Sequence, residues 1–135
     1  MDCVFCKIME GTLPSSCIYE DEFFKVILDI APASKGHTLI ISKEHAADIF
    51  ALSDEAAARL MPLAKKVAAA LQSAFNPVGL NILQNNGAPA GQTVFHYHMQ
   101  LIPRYENDNV NIKWVQGKHE PECFSGMLAE IKAKL

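Results

Sequence analysis

The chain has 135 residues, half of them hydrophobic and a fifth charged, with a formal net charge of −3. That length suits one domain, expected over residues 1–135, with a sizeable core, and the charge balance offers no footprint for a nucleic-acid backbone. No apolar run is long enough to span a bilayer and no basic-then-apolar leader opens the sequence, so we expect a cytoplasmic protein with neither a membrane nor a nucleic acid as partner.

Residues 3–11 begin Cys3-Val4-Phe5-Cys6 and run to Gly11. This predicts a short helical turn ending at Gly11, with Phe5 and Ile8 on one side. Four cysteines without a secretory leader do not make a disulfide framework. Cys17 and Cys123 stand alone and read as ordinary thiols. The Cys3–Cys6 pair has three readings. A redox motif wants a strand before it, and there is no room for one. A fortuitous pair is the second. The third is half of a four-coordinate Cys/His zinc site, which needs two more ligands. His45 and His96 are candidates for them.

Residues 17–30 read as two short strands around the acidic turn Glu20-Asp21-Glu22. Asp29 ends the second, apolar strand. Its carboxylate suits a ribose diol, or caps the turn before Pro32. Residues 35–41 form a turn feeding another strand, with His37 at its mouth. Taken alone, His37 reads as an exposed loop histidine. Over residues 53–75, Leu60, Leu63, Val67, Leu71 and Phe75 recur at helical spacing. Ser53 is an N-cap candidate, followed by two acids in the first turn. Pro62 should kink this helix or end its first segment. Ala64, Ala68, Ala69 and Ala70 would let it pack closely on a sheet.

Residues 76–79 form a turn, and 79–84 a short alternating strand. Residues 85–93 are a loop of glycines, amides and hydroxyls. Such a loop can bring N–H groups close to a phosphate, although a plain surface turn has the same composition. Residues 96–101 alternate polar and apolar, so a strand should place His96, His98 and Gln100 on one face and Tyr97, Met99 and Leu101 on the other. Such a strand could simply turn its polar face to water. Residues 111–115 suggest a further short strand. Residues 121–135 suggest a closing helix with Phe124, Met127, Leu128 and Ile131 on one side.

The stretch from Gly91 to Gln100, Gly-Gln-Thr-Val-Phe-His-Tyr-His-Met-Gln, resembles the signature of the histidine-triad (HIT) family, in which three histidines alternate with apolar residues. Cys3-Val4-Phe5-Cys6-Lys7-Ile8, Leu28-Asp29-Ile30-Ala31-Pro32, Lys35-Gly36-His37-Thr38-Leu39 and Asn85-Asn86-Gly87 match further family stretches in the family's order. The resemblance covers roughly residues 3–105, and its motifs are specific in combination. It implies an α+β fold: an antiparallel sheet of about five strands, a long helix and a C-terminal helix. It also implies a homodimer that extends the sheet through residues 79–84 or the long helix.

For the site, the resemblance implies a purine nucleotide whose base rests on Phe5, Ile8, Ile27, Ile30 and Leu39, and whose ribose meets Asp29. Asn85, Gly91, Gln92 and Thr93 would line the phosphates, with His37 near them. Cys3, Cys6, His45 and His96 would hold a structural zinc ion. His98 would attack the α-phosphate and form a nucleotidyl-histidine intermediate. Neutral imidazole is a competent nucleophile near neutral pH, provided an acceptor such as a backbone carbonyl fixes its tautomer.

Gln100 departs from the family pattern, standing where a third histidine is usual. An amide can donate to a phosphoryl oxygen but cannot titrate. A His-x-His-x-Gln version occurs in the nucleotidyltransferase branch of the superfamily. The short chain resembles the compact branch that hydrolyses phosphoramidates and dinucleoside polyphosphates. Hydrolase is therefore the first expectation and transferase the alternative. A weakly catalytic nucleotide-binding module is the third. The sequence does not specify the leaving group or the base.

Overall fold

The structure, a computed structural model, describes residues 2–135. Helix α1 spans Val4–Met9, and strands β1 and β2 span Cys17–Glu20 and Phe24–Leu28. Strand β3, Thr38–Ser42, is followed by helix α2, Asp54–Phe75. Strands β4, Gly79–Leu83, and β5, His98–Arg104, complete a five-stranded sheet in the order β1-β2-β3-β5-β4. Every pairing is antiparallel. Helix α3, Pro121–Lys132, follows an irregular segment.

Strand alternation gives the sheet two different faces. Phe24, Val26, Ile40, Met99 and Leu101 point to one of them. There they pack under Leu60, Leu63, Ala64, Val67 and Leu71 of α2. Ile27, Leu39 and Ile41 point to the other, under Phe5 and Ile8 of α1. In register, Leu39 lies opposite Gln100 and Ile41 opposite His98. The second face therefore carries both an apolar floor and the polar residues of β5.

Helix α2 begins as expected, with the Ser53 side chain accepting the Ala56 N–H. It does not break at Pro62, which lies within the continuous helix. An interior proline costs a helix roughly 3 kcal/mol, whereas each fully buried leucine or valine contributes about 2 kcal/mol. The buried face of α2 outweighs that cost. Both Pro62 and Ala58, whose carbonyl loses a partner, lie on the exposed side. Of the alanines expected to pack closely, Ala64 is buried and Ala68 half-buried, while Ala69 and Ala70 face out.

Two further expectations are corrected. β5 starts at His98 and runs to Arg104, whereas residues 94–96 form a bend. That bend turns the His96 ring out of the ladder and toward α1. Residues 109–120 contain no strand, because no neighbouring strand pairs with them and Trp114 and Val115 are exposed. Helix α3 does form, but it has no buried residue. Its apolar side, including Phe124, Leu128 and Ile131, is exposed and does not pack on the sheet.

Arg104 secures the exit from β5. Its guanidinium donates twice to Asp108, once to Asn81 Oδ1 and once to the Val110 carbonyl. That pairing, with the Tyr105 N–H, holds the Asp108 carboxyl well below its ordinary range. The loop before β3 is tied down as well. Ser34 Oγ donates to the Pro103 carbonyl, and Tyr105 Oη donates to the Lys35 carbonyl.

Gly36 lets this loop press against the end of α2. Its φ is +87°, and an added Cβ would lie 2.9 Å from the Phe75 ring and 3.3 Å from Pro103. Gly36→Ala should therefore destabilise the fold by about 2 kcal/mol, through backbone strain and overpacking together. Urea denaturation checks this, and an unchanged midpoint would refute it.

Candidate active site and metal centre

A cavity of about 740 Å³ opens on the second face of the sheet. Its walls come from α1, the end of β2, the start of β3, the loop before β5, and β5 itself. Phe5, Ile8, Ile27, Asp29, Ile30, His37, Leu39, Gly91, Thr93, His98 and Gln100 all line it. The sheet explains much of this meeting. Residues 27 and 29, 37 and 39, and 98 and 100 share one parity on adjacent strands, so they project to the same side.

His98 has a defined tautomer. Its Nδ1 lies 2.8 Å from the His96 carbonyl oxygen, which can only accept. Nδ1 therefore carries the proton, and the Nε2 lone pair is free. The ring packs edge-on against Phe5, with centroids 5.0 Å apart and planes at 78°. Burial lowers the His98 pKa, and nearby His37 acts in the same direction. The His96 carbonyl and the Asp29 carboxylate oppose them. The net shift is downward, which favours the neutral ring.

His37 is buried, contrary to its reading as an exposed loop histidine. Its Nδ1 accepts the Ala33 N–H at 2.9 Å, and its Nε2 lies 2.9 Å from Gln100 Oε1. Asp29 Oδ2 is 3.6 Å from the same Nε2. Asp29 Oδ1 accepts the Ala31 N–H at 2.9 Å. Asp29 thus caps the turn and also borders the cavity.

Gln92 and Asn85 lie in the loop before β5. The Gln92 side chain is buried, and its amide is taken up inside the loop. Its Oε1 accepts the Gly87 N–H at 2.7 Å, and its Nε2 donates to the Ala47 and Val94 carbonyls at 2.6 and 3.1 Å. Gln92 braces the loop from within. Asn85 lies against Gly91. Its amide nitrogen lies 3.1 Å from the point that a Cβ on Gly91 would occupy. The φ of +98° at Gly91 likewise excludes most side chains there.

The sequence reading missed Leu13, Pro14, Ser15 and Val94, which also line the cavity. Residues 13–15 lie between α1 and β1, where no periodicity marks them. Val94 could have been found, since it is the apolar residue between Thr93 and Phe95.

Cys3, Cys6, His45 and His96 converge beside this cavity, with their ligand atoms all within 4.8 Å of one another. Each Cys Sγ faces imidazole nitrogen. Cys3 Sγ to His96 Nδ1 is 3.4 Å, Cys6 Sγ to His45 Nδ1 is 3.3 Å, and Cys6 Sγ to His96 Nδ1 is 3.6 Å. The two Nδ1 atoms are 3.2 Å apart. A tetrahedral zinc ion, with bonds of about 2.3 Å to sulfur and 2.05 Å to nitrogen, would set S···N near 3.5 Å and N···N near 3.3 Å. The donor set and its spacing fit that ion. His96 is also in the right tautomer, because its Nε2 donates to the Ser42 carbonyl at 2.6 Å and leaves the Nδ1 lone pair facing the cluster.

The HIT domain model matches residues 10–107. The adenosine 5′-monophosphoramidase of Schizosaccharomyces pombe is 42% identical over 136 residues, covering 100% of this chain and 99% of that protein. A crystal structure of a HIT family protein from Bacillus anthracis superposes with a TM-score of 0.94 at 44% identity, covering 99% of this chain and 97% of that one. A zinc-bound histidine triad family protein from Mycobacterium smegmatis superposes with a TM-score of 0.77 at 36% identity, covering 100% of this chain and 99% of the other. Family model, relatives and fold agree: the chain belongs to the histidine-triad (HIT) family.

Proposed function

We propose that this protein is a nucleotide hydrolase that cleaves the bond at the α-phosphate of a purine nucleotide derivative, a phosphoramidate or a dinucleoside polyphosphate. One observation carries the reading. The His98 ring, tautomer fixed by the His96 carbonyl, has its Nε2 lone pair free at a cavity with an apolar floor and the Asp29 carboxylate in its wall. The similarity to a phosphoramidase along nearly its whole length supports the same chemistry.

In this reading the base rests on Phe5, Ile8, Ile27, Ile30 and Leu39, and Asp29 accepts from the ribose hydroxyls. Thr93 and the Gly91 backbone approach the phosphate. His98 Nε2 attacks the α-phosphorus and displaces the leaving group; an amine leaving group takes its proton from water, because the Gln100 amide can donate a hydrogen bond but does not release its protons. Water then attacks the phosphohistidine bond, releasing the nucleotide and restoring His98. Zinc bound by Cys3, Cys6, His45 and His96 would serve as a structural tie between α1 and the start of β5. The unpaired edge of β4 and the exposed side of α2 would support a homodimer with a continued sheet.

Gln100 favours a second reading, nucleotidyl transfer. A residue that cannot titrate suits an intermediate that waits for an acceptor other than water. Intact-mass analysis after brief mixing with adenosine 5′-phosphoramidate separates the two. An adduct that decays to AMP in water supports the hydrolase. An adduct that persists until an acceptor is added supports the transferase. Neither adduct nor AMP, with Gln100→His equally silent, would refute both.

A further inference from the structure

The hydrogen bonds around His37 determine what position 100 can do. Ala33 N–H donates to His37 Nδ1 at 2.9 Å, so that nitrogen carries no proton. The ring proton of the neutral imidazole is then on Nε2, 2.9 Å from the Gln100 side chain. A donor there needs an acceptor. The Gln100 atom facing His37 is therefore Oε1, since the flipped amide would set N–H against N–H. Asp29 Oδ2, 3.6 Å from Nε2, is too distant to replace it.

With Oε1 held by His37, the Gln100 NH₂ is directed away from His37. Among the described residues no protein acceptor hydrogen-bonds to it, and Gln100 lines the same cavity as His98. The backbone around His37 is itself pinned. Its N–H donates to the Ser34 carbonyl, and its carbonyl accepts the Asp29 N–H.

We infer that His37 is a positioning residue: it fixes the Gln100 amide with its NH₂ toward the phosphoryl group, and acts on the reaction only through Gln100. This rests on the proposed chemistry at His98 and deepens it. The donor at position 100 is then a neutral N–H of fixed direction. It costs no reorganisation when charge develops on the phosphoryl oxygens. In this reading His37 reaches the phosphoryl group through that amide.

Two measurements test this. Long-range ¹H–¹⁵N spectra of the free, full-length protein report which His37 nitrogen carries the proton. The Nε2–H tautomer is expected, and an Nδ1–H tautomer would overturn the inference whether or not the protein turns over any substrate. The second is a double-mutant cycle with adenosine 5′-phosphoramidate. His37→Phe and Gln100→Ala should each lower kcat about a hundredfold, as loss of one preorganised donor does, with KM within a few-fold of wild type. The double variant should be no slower than either single one, and His37→Gln, which keeps an N–H near the Nε2 position, should recover most of kcat. Losses that multiply in the double variant would show that His37 acts independently and would overturn the proposal. A wild-type protein without turnover would sink the hydrolase reading, while the tautomer would still decide the role of His37.

Discussion

His98→Ala is expected to lower turnover of a nucleoside phosphoramidate by about 10⁴-fold or more, the scale seen when a covalent nucleophile is removed. The nucleotide adduct should vanish from the mass spectrum with it. Structural damage should not account for the loss. The ring is half-buried and packs on Phe5, so truncation should cost about 1–2 kcal/mol. That is far too little to unfold a domain of ordinary stability. AMP binding should persist, because the apolar floor and Asp29 are untouched. Steady-state rates, a thermal melt and AMP titration together check this. Full activity in His98→Ala would sink the nucleophile assignment, and a lost melt would mean that the fold needs this ring more than its surroundings suggest.

Stripping the metal should produce the largest change in stability. The purified protein should carry one zinc ion per chain, and a strong chelator should lower Tm by about 10 °C. The magnitude follows from linkage. An ion present at several hundred times its dissociation constant stabilises by about 3–4 kcal/mol, and each kcal/mol moves Tm by about 3 °C in a chain of this size. Without a cation, the Nδ1 atoms of His45 and His96 lie 3.2 Å apart beside two sulfurs, with no ion to tie the four groups together. Cys3→Ser with Cys6→Ser should reproduce the effect and abolish the response to chelator. Affinity should also fall as the pH is lowered, because the thiolates and imidazoles take up protons. A protein free of metal with an unchanged melt would refute the site. The loss should reach catalysis too, since the ring of His96 belongs to the cluster and its carbonyl orients His98.

Much of this was legible in the chain because the relevant signals are local. Alternation placed His98 and Gln100 on one face, the 3.6-residue period placed α2, and the short strands on either side of Glu20-Asp21-Glu22 followed from their composition. The failures are tertiary in origin. Nothing local announces that residues 94–96 bend, because the bend is made by a carbonyl and a ring reaching different partners. The run at 111–115 looks like a strand but meets no sheet edge. His37 looked like a loop histidine, and only the packing of residues 33–37 against β5 buries it. Gln92 had the right composition for a phosphate loop, yet its amide closes that loop on itself. The four metal ligands lie at positions 3, 6, 45 and 96, and while the Cys3–Cys6 spacing is a local signal, the histidines join it only through the fold.

The placement of β5 between β3 and β4 has a consequence for how the molecule opens and closes. Its amides are shielded on both sides by other strands, and Met99 and Leu101 anchor the core under α2. Such a strand is released only when the whole sheet comes apart, so the reactive ring and the amide beside it belong to the most cooperative part of the protein. Residues 106–135 belong to the opposite class. They bury little, and α3 can melt on its own without disturbing a single strand pairing. Wear, proteolysis and sequence drift should therefore fall on the tail, while His98 and Gln100 keep their geometry until the domain as a whole unfolds.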